Sequence, residues 1–185
     1  MTTPAEGTLE VEYEVTLEDV TQFALHHHRT SPTLKRRRRL LRLGMAGLLI
    51  VIATVVGAVA KAPVLGMVGL VFAVAFYWMF PRRYERGLRD TVAKMYSEGK
   101  NLDVLGRTKL VLDDAFILES TPTRDVRTRW NAVEAMVETE THVFVYVTGS
   151  TALVVPKRDL DGDTLSRFVQ SVRAHLPPGA IGAAS

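Results

Sequence analysis

Three hydrophobic patterns divide the chain. Leu9, Val11, Tyr13 and Val15 alternate with glutamates, which predicts a half-buried strand with an acidic outer face. From Leu43 to Ala60, and again from Ala62 to Phe80, no charged residue occurs, and Leu, Val, Ile, Ala, Phe and Gly occupy every helical face. At about 1.5 Å per helical residue each run covers roughly 27–29 Å, close to the roughly 30 Å thickness of bilayer hydrocarbon. The alternative, a hairpin buried in a water-soluble core, calls for polar residues at helical spacing on its outer face and for more surrounding chain than remains. After Asn101 the period returns to two.

Local signals place the elements. Thr16 with Asp19 three residues on is a capping-box variant, so a short helix should begin near Leu17 and stop before Ser31-Pro32. Pro81 suits a helix start and Gly99 a stop, with Tyr84, Leu88, Val92, Met95 and Tyr96 on one face and the arginines mostly on the others. Turns are expected near Asp113-Asp114 and at Gly149-Ser150. Leu165, Phe168, Val169, Val172 and Leu176 mark a last amphipathic helix, capped by Asp163 and ended by Pro177-Pro178. The expected organisation is an N-terminal strand and short helix (1–34), a transmembrane helical hairpin (40–80, its spans about 43–60 and 62–80), a basic juxtamembrane helix (81–99), a β domain with a C-terminal helix (101–177) and a flexible tail (178–185). Alone, the sheet domain makes a marginal core, which the Leu9–Val15 strand could complete as a missing edge.

Charge sharpens the membrane reading. Residues 1–30 carry a net charge of −5, residues 31–100 of +10 and residues 101–185 of −2. The basic excess thus surrounds the apolar runs: Lys35, Arg36, Arg37, Arg38, Arg39 and Arg42 before the first, and Arg82, Arg83, Arg86 and Arg89 after the second. Cations beside spans stay on the cytoplasmic side, and the turn between the spans carries only Lys61, so both termini should be cytoplasmic, in a multi-pass inner-membrane protein. These ten cations are the candidate contacts for anionic lipid headgroups. Tyr77 and Trp78 suit the headgroup interface. Ala53/Gly57 and Gly69/Ala73 are the candidate helix-packing residues, within the hairpin or in a homo-oligomer. No Asp, Glu, His, Arg or Lys lies within the runs, which disfavours a channel, pump or transporter. Acidic residues precede the first run, and the cations sit beside it rather than at the N-terminus, so it reads as an uncleaved anchor.

Chemistry-bearing clusters are sparse. The chain has no cysteine, so thiol chemistry and Cys-based metal centres are excluded. His26, His27 and His28 are consecutive, and helical neighbours point about 100° apart, so they read as packed or interfacial side chains rather than metal ligands. There is no nucleophile elbow, phosphate loop or dinucleotide fingerprint. His142 and His175 stand apart, Asp113-Asp114 reads as a turn, and Ser150-Thr151 has no base predicted beside it. No catalytic, metal or cofactor-binding residue is assigned and no cofactor is expected. Arg124, Arg127 and Arg129 with Lys157 and Arg158 could form a second anion-contacting surface. Nucleic acid is disfavoured as a partner, because topology already explains "KRRRR" and no aromatic platform accompanies it.

"LEVEYEVTLEDVTQFALHHHRTSPTLKRRR", "FYWMFPRRYERGLR", "EGKNLDVLGRTKLVLDD" and "RTRWNAVEAMVETETHVFVYVTGSTALVVPKRDL" together resemble the YcxB-like family of bacterial membrane proteins, in order and over nearly the whole chain. The resemblance implies two transmembrane helices and a cytoplasmic C-terminal domain with a pleckstrin-homology-type (PH-like) fold, and it implies no established biochemical activity. The expected fold is therefore an α+β membrane protein, a two-helix transmembrane hairpin plus a small antiparallel PH-like sheet domain closed by a C-terminal helix. The expected role is a membrane-anchored binding or scaffolding module for a protein or an anionic lipid. A purely structural, oligomerising membrane protein is the alternative.

Overall fold

Strand β1 (Leu9–Val15) pairs antiparallel with β2 (Gly106–Leu112) along its whole length, from Leu9 opposite Leu112 to Val15 opposite Gly106, although both apolar runs lie between them in sequence. The computed structural model describes residues 8–97, 104–177 and 180–183. They fall into two units, Met1–Phe23 with Ala93–Ser185, and Ala24–Val92.

In the first unit, β3 (Phe116–Ser120) and β4 (Asp125–Arg129) extend the sheet in the order β1-β2-β3-β4. A second sheet, β7-β6-β5-β8, is built from β5 (Ala135–Glu138), β6 (His142–Thr148) and β7 (Thr151–Pro156), all antiparallel, with β8 (Ile181–Ala183) added parallel to β5. The turns at Asp113-Asp114 and Gly149-Ser150 lie where the sequence puts them. The supposed flexible tail is corrected at residues 181–183, which form β8; residues 178, 179, 184 and 185, the Gly99 stop and residues 101–103 lie outside the described residues.

The core explains the sequence periods. Val11, Tyr13 and Val15 of β1 pack with Leu110, Leu112, Ile117, Met136, Val143, Val145 and Val155, and helix α4 (Gly162–His175) closes the set with Phe168, Val169 and Val172. Strand β6 is apolar at nearly every position because both faces are covered: Val143 and Val145 point into this core, while Phe144 and Tyr146 meet Phe23 on the other side, with ring centroids 5.5 and 5.7 Å away. The N-cap of α4 is Asp161, not Asp163. Its extended backbone directs the carboxylate at the amides of Asp163 and Thr164, 3.0 and 2.9 Å away, whereas Asp163 already lies in the first turn.

Helix α1 (Leu17–Thr30) belongs to both units, its first turns to the sheet domain and its end to the second unit. The second unit also holds α2 (Pro32–Val59) and most of α3 (Pro63–Ser97), two helices long and apolar enough to cross a membrane. Within them the large side chains face outward, Leu48, Val51, Val55, Val68 and Phe72 among them, while Ala46, Ala53, Gly57 and Ala73 are buried. This is the inverse of a water-soluble core and the arrangement expected of helices solvated by lipid. The turn between them is a Schellman closure: Lys61 N–H donates to Ala58 O and Ala62 N–H to Gly57 O, with Lys61 at φ +48° where glycine is usual. Pro63 then opens α3. The separate juxtamembrane helix expected from Pro81 is corrected too, since α3 runs through Pro81 without a break to Ser97.

Candidate functional site

The basic block before the first apolar run is helical. Helical geometry sorts its cations: Lys35, Arg38, Arg39 and Arg42 recur at i, i+3, i+4 and i+7, so they share one face of α2, and Arg36 and Arg37 do not. That face meets Tyr77, Phe80 and Pro81 of α3 across an open cleft of about 410 Å³. Pro81 explains part of the geometry. It has no N–H, so the Tyr77 carbonyl four residues earlier loses its helical donor. Arg42 takes that place: its Nε–H donates to Tyr77 O at 2.9 Å, and its guanidinium carbon lies 3.5 Å from the Tyr77 ring centroid. A neighbouring helix that satisfies the freed carbonyl is what allows a proline inside an apolar helix.

No carboxylate lines the cleft, and among the described residues none forms an ion pair with its four cations. A larger cleft of about 560 Å³ over β1 and β2 behaves differently. It carries Glu12, Glu14 and Asp159 beside Arg107 and Lys109, so its charges largely cancel.

Farther along the hairpin the small residues meet one another. A Cβ added to Gly69 would stand 2.4 Å from the Ala53 Cβ, and one added to Gly57 would stand 3.0 Å from the Gly66 Cα. Ala73 is buried as well. Ala53, Gly57 and Gly69 are thereby used in the contact between the two helices of one chain.

The sheet domain has its own polar centre. Asp19, in the first turn of α1 and 1% exposed, receives Arg158 at both oxygens (2.5 and 2.8 Å), His142 Nε2 at 2.9 Å, the Thr16 amide at 2.7 Å and the Thr16 hydroxyl at 2.8 Å. Burial pushes the Asp19 pKa up. The hydrogen bonds from Arg158, Thr16 and His142 together outweigh it and hold the carboxyl well below the usual carboxylate range. His142 Nδ1 lies 2.8 Å from the Thr141 hydroxyl, so hydroxyl, imidazole and carboxylate follow one another. In a nucleophile relay the carboxylate is there to stabilise an imidazolium. Here the bidentate Arg158 already meets its charge, and the cluster ties α1, β6 and the turn after β7 together. Arg158 also donates to Glu14 O at 3.0 Å, strapping the end of β1 to that turn.

The remaining residues singled out from the sequence are dispersed. Arg36, Arg37, Arg82, Arg83, Arg86 and Arg89 are exposed on α2 and α3 and do not line the cleft. Arg124 pairs with Glu119 and Arg127 lies over Phe116, on and beside the β4 edge of the first sheet, as Arg129 does. Lys157 bonds Glu138 of β5 in the second sheet, and Arg158 bonds Asp19 and the Glu14 carbonyl of β1, at the opposite edge of the first sheet, so the five cations do not converge on a second surface. His28 Nδ1 lies 3.2 Å from the Tyr84 hydroxyl, and burial, with neighbouring His27 and Arg38, lowers its pKa. His175 stacks on Trp130 at 4.2 Å rather than standing alone at a helix end. Sequence reasoning missed the Tyr77 carbonyl, Gly66 and the role of Asp19 as a hub. The i−4 rule for Pro81 would have found the first.

Residues 112–170 match the family model described as YcxB-like protein, which supports the resemblance read from the sequence. The match runs from the last residue of β2 into α4, and so covers β3 to β7 and most of α4 but not the hairpin, β1, the rest of β2 or β8. No curated protein and no solved structure matches the chain.

Proposed function

We propose, with kinship to the YcxB-like family as the premise, that this chain is an integral membrane protein whose sheet domain acts as a membrane-anchored binding or scaffolding module for a protein or an anionic lipid. The observation that carries the reading is the pairing of β1 with β2 around the two apolar helices. The chain leaves a sheet, crosses as a hairpin and returns to the neighbouring strand of that sheet, so the domain is held at the membrane by two connections instead of one. An even number of spans puts both connections on one side. The cations at both ends of the hairpin make that side the cytoplasmic one, at a bacterial inner membrane. Four strands, then three, then a C-terminal helix support the PH-like architecture that the resemblance implies. The Asp19 cluster is read as cohesive and the chain as non-catalytic.

The purely oligomerising alternative loses part of its support, because Ala53, Gly57 and Gly69 meet partners within their own hairpin. Cysteine-labelling reporters placed before Leu9 and after Ala183, combined with proximity labelling from the C-terminus, test the reading. Both reporters protected in intact cells, with recurring cytoplasmic-side neighbours, is the expected outcome. A terminus labelled from outside overturns the topology, and self-crosslinks without other neighbours favour the structural alternative.

A further inference from the structure

We propose that the cleft formed by Lys35, Arg38, Arg39 and Arg42 of α2 against Tyr77 and Phe80 of α3 is a site for the phosphate of one anionic phospholipid headgroup. The proposal rests on the membrane-spanning reading and narrows it from a diffuse attraction to a defined site.

Four like charges on one helix face repel one another, and no acid lines the cleft to offset them, so the arrangement is complementary to an anion. One of the four is already oriented. Arg42 is fixed through Nε and by the Tyr77 ring, and among the described residues its two terminal nitrogens have no protein acceptor. A guanidinium fixed in this way loses little freedom on binding a phosphate and can offer it two parallel donors.

The wall of the cleft points to lipid rather than to a soluble anion. Leu43 and Phe80 line it, and these are the first residue of the first apolar run and the last residue of the second. The cations therefore lie at the depth where hydrocarbon gives way to headgroups, with the exposed apolar side chains of α2 and α3 continuing below them for acyl chains to follow. Basic pockets between helices at this depth suit phosphate headgroups.

The experiment uses the full chain in phosphatidylcholine bilayers containing spin-labelled phosphatidylglycerol or spin-labelled phosphatidylcholine. The readout is the relative association of each lipid with the protein. The wild-type chain should prefer phosphatidylglycerol, and K35Q/R38Q/R39Q, which spares the fixed Arg42, should weaken that preference about tenfold, the step expected when well-placed charge contacts to one phosphate are lost. R36Q/R37Q/R82Q removes the same charge outside the cleft and should keep most of the preference. Equal loss in the two variants overturns the proposal in favour of diffuse attraction. Displacement of the labelled lipid by millimolar inorganic phosphate overturns it in favour of a soluble anion. Alkaline extraction of the same preparations separates the two levels: a chain released from the bilayer refutes the spanning reading itself, and a retained chain without lipid preference refutes only the site.

Discussion

Arg42 donates its Nε–H to the Tyr77 carbonyl at 2.9 Å, and Pro81, four residues farther on, is the reason that carbonyl is free to accept. The pair turns a gap in one helix into a fixed cation at the end of the hairpin, and it makes the effects of two substitutions interdependent. Arg42→Gln should cost about 2 kcal/mol through the lost hydrogen bond and cation–π contact. In a Pro81→Ala background the restored amide can serve Tyr77 O, and the same substitution should cost about 1 kcal/mol. Thermal unfolding of the four proteins in one detergent gives the cycle; strictly additive costs would disconnect Arg42 from the proline.

Asp19 should hold the sheet domain together in a pH-dependent way. Its folded pKa is depressed, so its contribution is complete above the unfolded value near 3.9 and is lost as pH falls toward the folded value. Asp19→Ala should destabilise by about 3 kcal/mol at neutral pH, because it leaves Arg158 and the buried His142 without their partner. The gap in melting temperature between the variant and the wild-type chain should stay constant from pH 8 to pH 5 and narrow only below about pH 4. A gap that closes near neutrality would assign the dependence to an imidazole instead.

The two-part sheet domain should fold without its membrane insert when β1 is supplied. A chain joining residues 8–23 to residues 104–183 through a flexible linker of about ten Gly and Ser residues should be soluble and give dispersed amide resonances. Residues 104–183 alone should aggregate, since they lack Val11, Tyr13 and Val15 and leave the β2 edge bare. A well-folded fragment without residues 8–23 would show that β1 is dispensable.

What could be read in advance was what depends on near neighbours. The alternation in β1, the apolar runs and the Thr16–Asp19 cap are local signals, and each holds in the structure. Asp19 was legible only as a cap, because its other partners, His142 and Arg158, lie 123 and 139 residues away. Pro81 was misread for a related reason: the rule that proline opens or breaks a helix assumes that no other group can serve the freed carbonyl, and Arg42 on the other helix does. The cleft was half legible. Its four cations share a helical face by spacing alone, but their facing residues on α3 follow from how the hairpin closes.

Gly69 and Ala53 provide the sharpest test of that closure. Gly69→Ala places a methyl group 2.4 Å from the Ala53 Cβ, well inside contact distance, so the helices must part or shift. The expected cost is about 1–3 kcal/mol, the range for overpacking a tight contact. Ala53→Gly removes the opposing methyl, so the double variant A53G/G69A should recover most of the loss. Gly47→Ala adds the same methyl where nothing lies within 4 Å and should be neutral or slightly stabilising. Thermal unfolding in one detergent reads the closure: stability lowered by Gly69→Ala and regained in the double variant. If the double variant does not regain it, the Ala53–Gly69 approach does not set the helix spacing, and the small residues return as candidates for contacts between chains.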